Sequence, residues 1–185
     1  MNKIIVIIVF VLFAFTSTTS AQTYENNQYG FSLWLPDEYQ EKSLPAPYWL
    51  ACFYGKKDIT MIGYIDTHGN YGYEGFDTTP GEQIQAFLQN QIIVSQAMTP
   101  QLKYQYWGYD YTITNKKYIY MVFLNTDSDI PIYTCRTYYK NGSTIICLFH
   151  IIPYSLKNSA TDDINRSFIF FAESIEKLLD NQTSA

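Results

Sequence analysis

The densest run of residues able to do chemistry is "YIDTHGNYGYEGFDTT", Tyr64 to Thr79. It gathers the carboxylates Asp66, Glu74 and Asp77, the histidine His68, and the tyrosines Tyr71 and Tyr73. Gly69, Gly72 and Gly75 make the stretch turn-rich and flexible. Calcium through the three carboxylates would need the spacing of an EF-hand, which is absent, so no metal is expected here. Tyrosines in such a loop supply contact area at low entropic cost. Asp66, His68, Tyr71, Tyr73 and Glu74 are therefore expected to contact a ligand or partner. The plainer alternative is a connection that packs its aromatics over a sheet edge and leaves its charges in water.

The other histidine, His150, lies in "CLFHII" with Cys147 three residues before it. Odd spacing along a strand puts the two on opposite faces, which makes them poor joint ligands. His150 is expected to be a strand residue with its ring nitrogens hydrogen-bonded. Nucleophilic catalysis lacks its local signatures, having neither a G-x-S-x-G elbow nor an S-x-x-K. Carboxylate pairs stand at Asp37/Glu38, Asp127/Asp129 and Asp162/Asp163. The last suits a helix N-terminus and the middle one a polar turn. A hydrolase with dispersed carboxylates or a site centred on His68 is the third-ranked reading, because catalytic groups can be far apart in sequence. No phosphate-cradling loop or dinucleotide fingerprint is present, so no cofactor is expected and no catalytic residue is assigned.

The aromatic load is the most unusual feature, with 18 tyrosines, 12 phenylalanines and 3 tryptophans. "KYQYWGYDYTI" carries five of them. Strand alternation places Trp107, Tyr109 and Tyr111 on one face and Tyr104 and Tyr106 on the other. Both faces cannot be equally dry, and a buried tyrosine needs a partner for its hydroxyl. Trp107, Tyr109 and Tyr111 are thus a candidate aromatic platform for a protein or, second, for a sugar.

The elements that must position these residues follow an export leader. "MNKIIVIIVFVLFAF" has a basic start and a short apolar run, and "TSTTSAQT" supplies small residues up to Ala21. This is the layout of a secretory signal, expected to be cleaved after Ala21. Residues 22–185 are then a single domain in a secreted or periplasmic protein, with no stable membrane insertion. Removing Lys3 leaves 11 basic against 17 acidic residues, a net charge of −6. That balance argues against nucleic acid and anionic lipid. Cys52, Cys135 and Cys147 are expected to be unbridged. If Asn141-Gly142 form a two-residue hairpin loop, Cys135 lies opposite Leu148 and Cys147 opposite Arg136, so the two thiols face apart.

Strands are expected at Phe31–Leu35, Tyr48–Gly55 and Asp58–Asp66 from alternating or β-branched apolar patterns. "TTPGEQIQAFLQNQIIV" predicts a helix with Thr79 as N-cap, Pro80 at the first position and Glu82 completing a capping box. Four strands follow over Gln105–Ile113, Lys117–Leu124, Ile130–Tyr139 and Ser143–Ile152. A closing helix from Thr161 carries Ile164, Phe168, Phe171, Ile175, Leu178 and Leu179 on one face. The result is an α+β domain, a largely antiparallel sheet of about seven strands in the order β-β-β-α-β-β-β-β-α with two amphipathic helices.

"YGFSLWLP", the "TPGEQIQAFL" helix before a β-meander, and the closing "RSFIFFAESI" resemble the PsbP-like family group, which includes exported bacterial proteins of the DcrB type. The resemblance spans roughly Tyr24 to Leu179. It implies a layered sandwich and a non-enzymatic role, binding or stabilising another protein, and it carries over no functional residues. The expected function is an exported accessory protein engaging a toxin, a transporter or an envelope complex subunit. A carbohydrate- or small-ligand-binding module is the alternative. N-terminal sequencing of the exported form is expected to begin at Gln22.

Overall fold

The computed structural model describes residues 21–43, 49–56, 58–66, 73–127, 129, 131–153 and 160–171. Its scaffold is a seven-stranded antiparallel sheet in the order β3-β4-β5-β9-β8-β7-β6. These strands are β3 (Gln40–Glu41), β4 (Trp49–Tyr54), β5 (Ile59–Asp66), β6 (Leu102–Tyr111), β7 (Lys117–Asn125), β8 (Ile132–Asn141) and β9 (Thr144–Pro153). A smaller sheet joins β1 (Ala21–Asn26), β2 (Phe31–Pro36) and β10 (Ile169–Phe170). Helix α1 spans Gly81–Met98 and helix α2 spans Ala160–Arg166. The α+β arrangement is the one expected, with three short or terminal strands, β1, β3 and β10, added to it.

Two cores flank the large sheet. On one face, Phe31, Leu33 and Leu35 of β2 bury fully against Phe53, Ile62, Ile146 and Leu148. The alternation read in "FSLWL" thus turns those three inward, and Trp34 is half-buried. On the other face, α1 lays Ile84, Phe87 and Leu88 against Ile119, Met121, Phe123 and Tyr138. Burying several such side chains supplies about 2 kcal/mol each.

Helix α1 begins one residue later than expected and has no capping box. Pro80 occupies the cap position without a side-chain cap bond, and the Thr79 hydroxyl instead donates to the Gly75 carbonyl at 2.7 Å. The preceding loop captures the residue that would have capped the helix. At its C-terminus the Thr99 amide bonds to the Ser95 carbonyl at 2.9 Å.

The β8–β9 hairpin turns at Gly142-Ser143, flanked by Asn141 opposite Thr144. Gly142 takes φ +58°, a conformation glycine tolerates without strain. This register is two residues from the one expected, and Cys135 faces His150 while Cys147 faces Tyr138. A two-residue shift preserves face parity, so the cysteines still point apart, and all three are free thiols.

The helix expected from Thr161 is interrupted among the described residues. It ends at Arg166, where the Ser167 hydroxyl accepts the Trp34 amide at 3.0 Å and donates to the Ile164 carbonyl at 2.7 Å. Ile169 and Phe170 then pair with Ser32 and Phe31 of β2. Phe168 stacks on Tyr139 at 3.9 Å and on Phe31 at 5.0 Å between ring centroids. Burial of that ring outweighs the continuation of an apolar helical face. Ile175, Leu178 and Leu179 lie outside the described residues.

Helix α2 is fastened by a buried chain of hydrogen bonds. His150 Nε2 donates to Asn165 Oδ1 at 2.9 Å, which leaves Nδ1 to accept from the Thr60 hydroxyl at 3.0 Å. The Tyr139 hydroxyl donates to the Asn165 carbonyl at 2.9 Å. Burial pulls the His150 imidazole down from 6.5 to about 4, so it is neutral at pH 7. The unfolded chain gains that proton near pH 6.5 and the folded chain resists until about 4. Stability from this residue is therefore complete above pH 6.5 and is lost as the pH falls toward 4, by ~3 kcal/mol in all. Urea midpoints are expected to drop across that window, and His150→Gln, though less stable at pH 7, is expected to lose less between the two pH values.

Candidate functional site

The loop singled out in the sequence is described at its two ends. Asp66 ends β5 opposite Thr144, while His68 and Tyr71 lie outside the described residues. Tyr73 is half-buried and its carbonyl accepts from the Lys140 ammonium. Glu74 is exposed and its carbonyl accepts the Gly142 amide at 2.9 Å. The end of the loop is thus pinned to the tip of the β8–β9 hairpin. Lys140 is itself buried, which lowers its pKa. Asp77 Oδ2 accepts the Lys117 amide at 3.2 Å, tying the same loop to the start of β7.

Lys117 in turn lies opposite Tyr111 of β6. The loop's end and the C-terminal half of β6 therefore share one rim of the sheet. Asp66 is further off, since β9, β8 and β7 separate β5 from β6. Four strand spacings make about 19 Å between them. Tyr73 and Glu74 sit between these extremes, beside the hairpin tip.

Strand β6 is the last strand of the sheet among the described residues. Tyr109 is 54% exposed, Tyr111 and Tyr106 41%, and Trp107 38%. A bulge at Gln105 sits between the pairs Tyr104–Phe123 and Tyr106–Val122. It inverts the alternation at one point. Tyr104 consequently shares the α1 face with Trp107, Tyr109 and Tyr111 and meets the Phe123 ring edge-on at 5.9 Å. Only Tyr106 of the aromatics in this strand faces the other way. The expected grouping of Tyr104 with Tyr106 fails because uninterrupted period-two alternation does not cross a bulge. Tyr109 and Tyr111 rings meet at 6.1 Å and 89°, and the Lys117 ammonium sits 4.5 Å over the Tyr109 ring.

The opposite face holds a feature the sequence did not single out, a cleft of about 360 Å³ between the sheet and α2. Strand β6 contributes Tyr106 and Asp110 to it, and β7 contributes Tyr118 and Tyr120. Tyr133 and Cys135 of β8 extend the floor. Helix α2 closes it with Thr161, Asp162 and Asn165. Tyr106 and Tyr120 form adjoining walls, their centroids 6.5 Å apart and their planes at 86°. Gly108 makes room for the second wall, because a Cβ there would stand 2.6 Å from Tyr120 Cζ. That glycine in mid-strand, opposite alternating tyrosines at 118 and 120, was the available sequence signal.

The cleft's titratable groups are tuned by burial and by one ion pair. Arg166 Nη2 donates to Asp110 Oδ2 at 2.8 Å across the mouth. Partial burial pushes the Asp110 carboxyl up, but hydrogen bonds from Arg166 and the Tyr111 amide more than offset it and hold the group below its usual range. Burial raises the Tyr118 and Tyr120 hydroxyls. It also pushes the Cys135 thiol up to about 11, so the sulfur is a protonated, weak nucleophile at neutral pH. Among the described residues no cluster of His, Cys, Asp and Glu could hold a metal ion.

No family model and no curated protein sequence matches the chain. Its fold is similar to the solution structure of cyanobacterial PsbP (CyanoP) from Synechocystis sp. PCC 6803, with a TM-score of 0.60 and 10% identity over 84% of this chain and 95% of that one. It is also similar to the Ran-binding protein Mog1p of Saccharomyces cerevisiae, with a TM-score of 0.50 and 8% identity over 83% of this chain and 96% of that one. At such identities the likeness is one of fold. The PsbP-like layered α+β arrangement expected from the sequence is the one the chain adopts.

Gly108→Ala is expected to push the Tyr120 ring toward the open cleft at a cost of about 1–2 kcal/mol by urea denaturation. Adding Tyr120→Leu relieves the overlap, so the double variant is expected to be more stable than the sum of the two single changes allows.

Proposed function

We propose that this is an exported, non-catalytic accessory protein that binds another envelope or secreted protein along β6. A toxin, a transporter or a subunit of an envelope complex are the partner types this reading covers. The observation carrying it is the ten-residue terminal strand with Tyr106, Trp107, Tyr109 and Tyr111 all between 38% and 54% exposed. Exposed edge strands are ordinarily guarded by charge, proline or bulges, because their free amides template pairing with another chain. Here the bulge at Gln105 and the exposed Lys103 guard the N-terminal part and Asp110 occupies the Tyr111 amide, which leaves the Trp107–Tyr109 stretch between them.

The Tyr111 amide donates to its neighbour's carboxylate, Asp110 Oδ1, at 2.8 Å, so it points away from β7. Alternation puts the amides of Tyr109 and Trp107 on that same outer edge. An extended partner segment adding there would gain main-chain hydrogen bonds, with the aromatics gripping its side chains. Tyrosine and tryptophan are the residues most often dominant at such contacts. The fold neighbour Mog1p, described as Ran-binding, supports the reading that a scaffold of this shape serves protein recognition. The leader-like pattern of the first 21 residues, a basic start and a short apolar run, supports export.

Affinity capture from the native envelope, compared by quantitative mass spectrometry, tests it. Tyr109→Pro removes one outward amide and leaves the β6–β7 ladder intact. It is expected to lose a partner that the wild-type chain retains, and Trp107→Ala is expected to weaken that partner about 10- to 100-fold. An identical captured set for both variants, with circular dichroism unchanged, would remove β6 from consideration.

A further inference from the structure

We infer that the tyrosine-lined cleft under α2 is a binding site for a small organic cation of the amino-alcohol class. The cleft opens on the sheet face opposite Trp107, Tyr109 and Tyr111, and shares only Tyr106 with the edge-strand reading.

Charge decides the class first. Among the described residues that line the cleft there is no lysine, arginine or histidine, and the charged ones are Asp110 and Asp162. Asp110 is paired with Arg166 at the mouth. Asp162, exposed in the first turn of α2, has no ion-pair partner among the described residues, so the described lining carries one carboxylate that no ion pair offsets. A phosphate or carboxylate ligand would meet repulsion from Asp162, and the base at the mouth, Arg166, is already held by Asp110.

The walls decide the kind of cation. Tyr106 and Tyr120 present two nearly perpendicular rings 6.5 Å apart, and Tyr118 and Tyr133 add further aromatic surface. Ring faces attract an alkylammonium through their quadrupoles, and desolvation strengthens that attraction. Metal ions are poorly served by the same lining, because tyrosine hydroxyls and two carboxylates that do not converge make no coordination shell. Burial, with Asp162 and Asp110 adding to it, keeps the Tyr118 and Tyr120 hydroxyls protonated, so they remain neutral donors.

Asn165 supplies the second handle. It is 3% exposed, and its Oδ1 is taken by His150 and Tyr139. Its amide nitrogen has no hydrogen-bond partner among the described residues, yet the side chain lines the cleft. That N–H is open to the cleft rather than sealed off, and is available to an acceptor oxygen on the ligand. A cationic head with a hydroxyl a few bonds away satisfies both the Asp162–tyrosine surroundings and Asn165. The volume of about 360 Å³ is at the small end of ligand sites, which suits a molecule of this size.

The same chemistry could arrive as a free amino alcohol or as a phosphorylated headgroup, and the test separates them. Choline, its neutral carbon isostere 3,3-dimethylbutan-1-ol, and phosphocholine are titrated into the full chain by calorimetry and by tyrosine ring NMR. Choline is expected to bind at least about tenfold more tightly than the isostere. Phosphocholine is expected to bind more weakly than choline, since no base is among the described residues that line the cleft. Asp162→Asn, at an exposed helix position, and Tyr106→Leu are each expected to weaken choline about five- to tenfold with circular dichroism unchanged. Equal binding of choline and the isostere, tighter binding of phosphocholine, no binding of any probe, or choline binding unmoved in both variants would each overturn the inference.

Discussion

A neutral imidazole at the centre of the domain holds its two halves in register. His150 sits on the middle strand of the large sheet, yet its ring is read by Thr60 from a neighbouring strand and by Asn165 from α2. Short helices have little stability of their own. The seven residues of α2 stay in place because Asn165 is held on one side by His150 and Tyr139, and because Ile164 is fully buried beside it. Without that clamp the cleft would have no roof, and the Arg166–Asp110 pair across its mouth could not form. The interaction works only in the uncharged state of the ring. The same buried position that makes the clamp strong in a neutral medium makes it vulnerable to acid.

Much of this was legible in the sequence, for local reasons. The six longer strands of the large sheet and α1 follow from period-two and helical patterns, and those patterns are strong because each element has one dry face. His150 was readable as a satisfied strand histidine, since odd spacing from Cys147 rules out shared ligation. Most of the failures trace to features that hydrophobic periodicity does not register. Thr79 leaves its capping role because Gly75 competes for its hydroxyl. The helix after Thr161 stops because Phe168 finds Tyr139 and Phe31. The bulge at Gln105 has no reliable local sign, and one extra residue was enough to move Tyr104 to the other face. The cleft was illegible for the same reason. Its residues come from β6, β7, β8, β9 and α2, and only the sheet order brings them together.

Strand β6 is where the two surfaces of interest meet. Its α1 side carries Trp107, Tyr109 and Tyr111, and its other side carries Tyr106 and Asp110. Gly108 lies between them and yields its side-chain volume to Tyr120. A strand aromatic on both faces would be insoluble or buried in most settings. Here the large sheet ends at it, so neither face is fully covered, and tyrosine's hydroxyl makes partial exposure tolerable.

The small sheet has a temporal consequence. Strand β2 lies near the beginning of the chain and β10 near its end, and the Trp34–Ser167 bond spans 133 residues. Phe31, Leu33 and Leu35, fully dry in the finished fold, can find their complete cover only after nearly all of the polypeptide has emerged. Contacts of such long range form slowly, and a nascent chain must meanwhile carry that apolar strand uncovered. A chain synthesised from its N-terminus completes β2 long before β10. The period between those two events is when this protein is most in need of an escort.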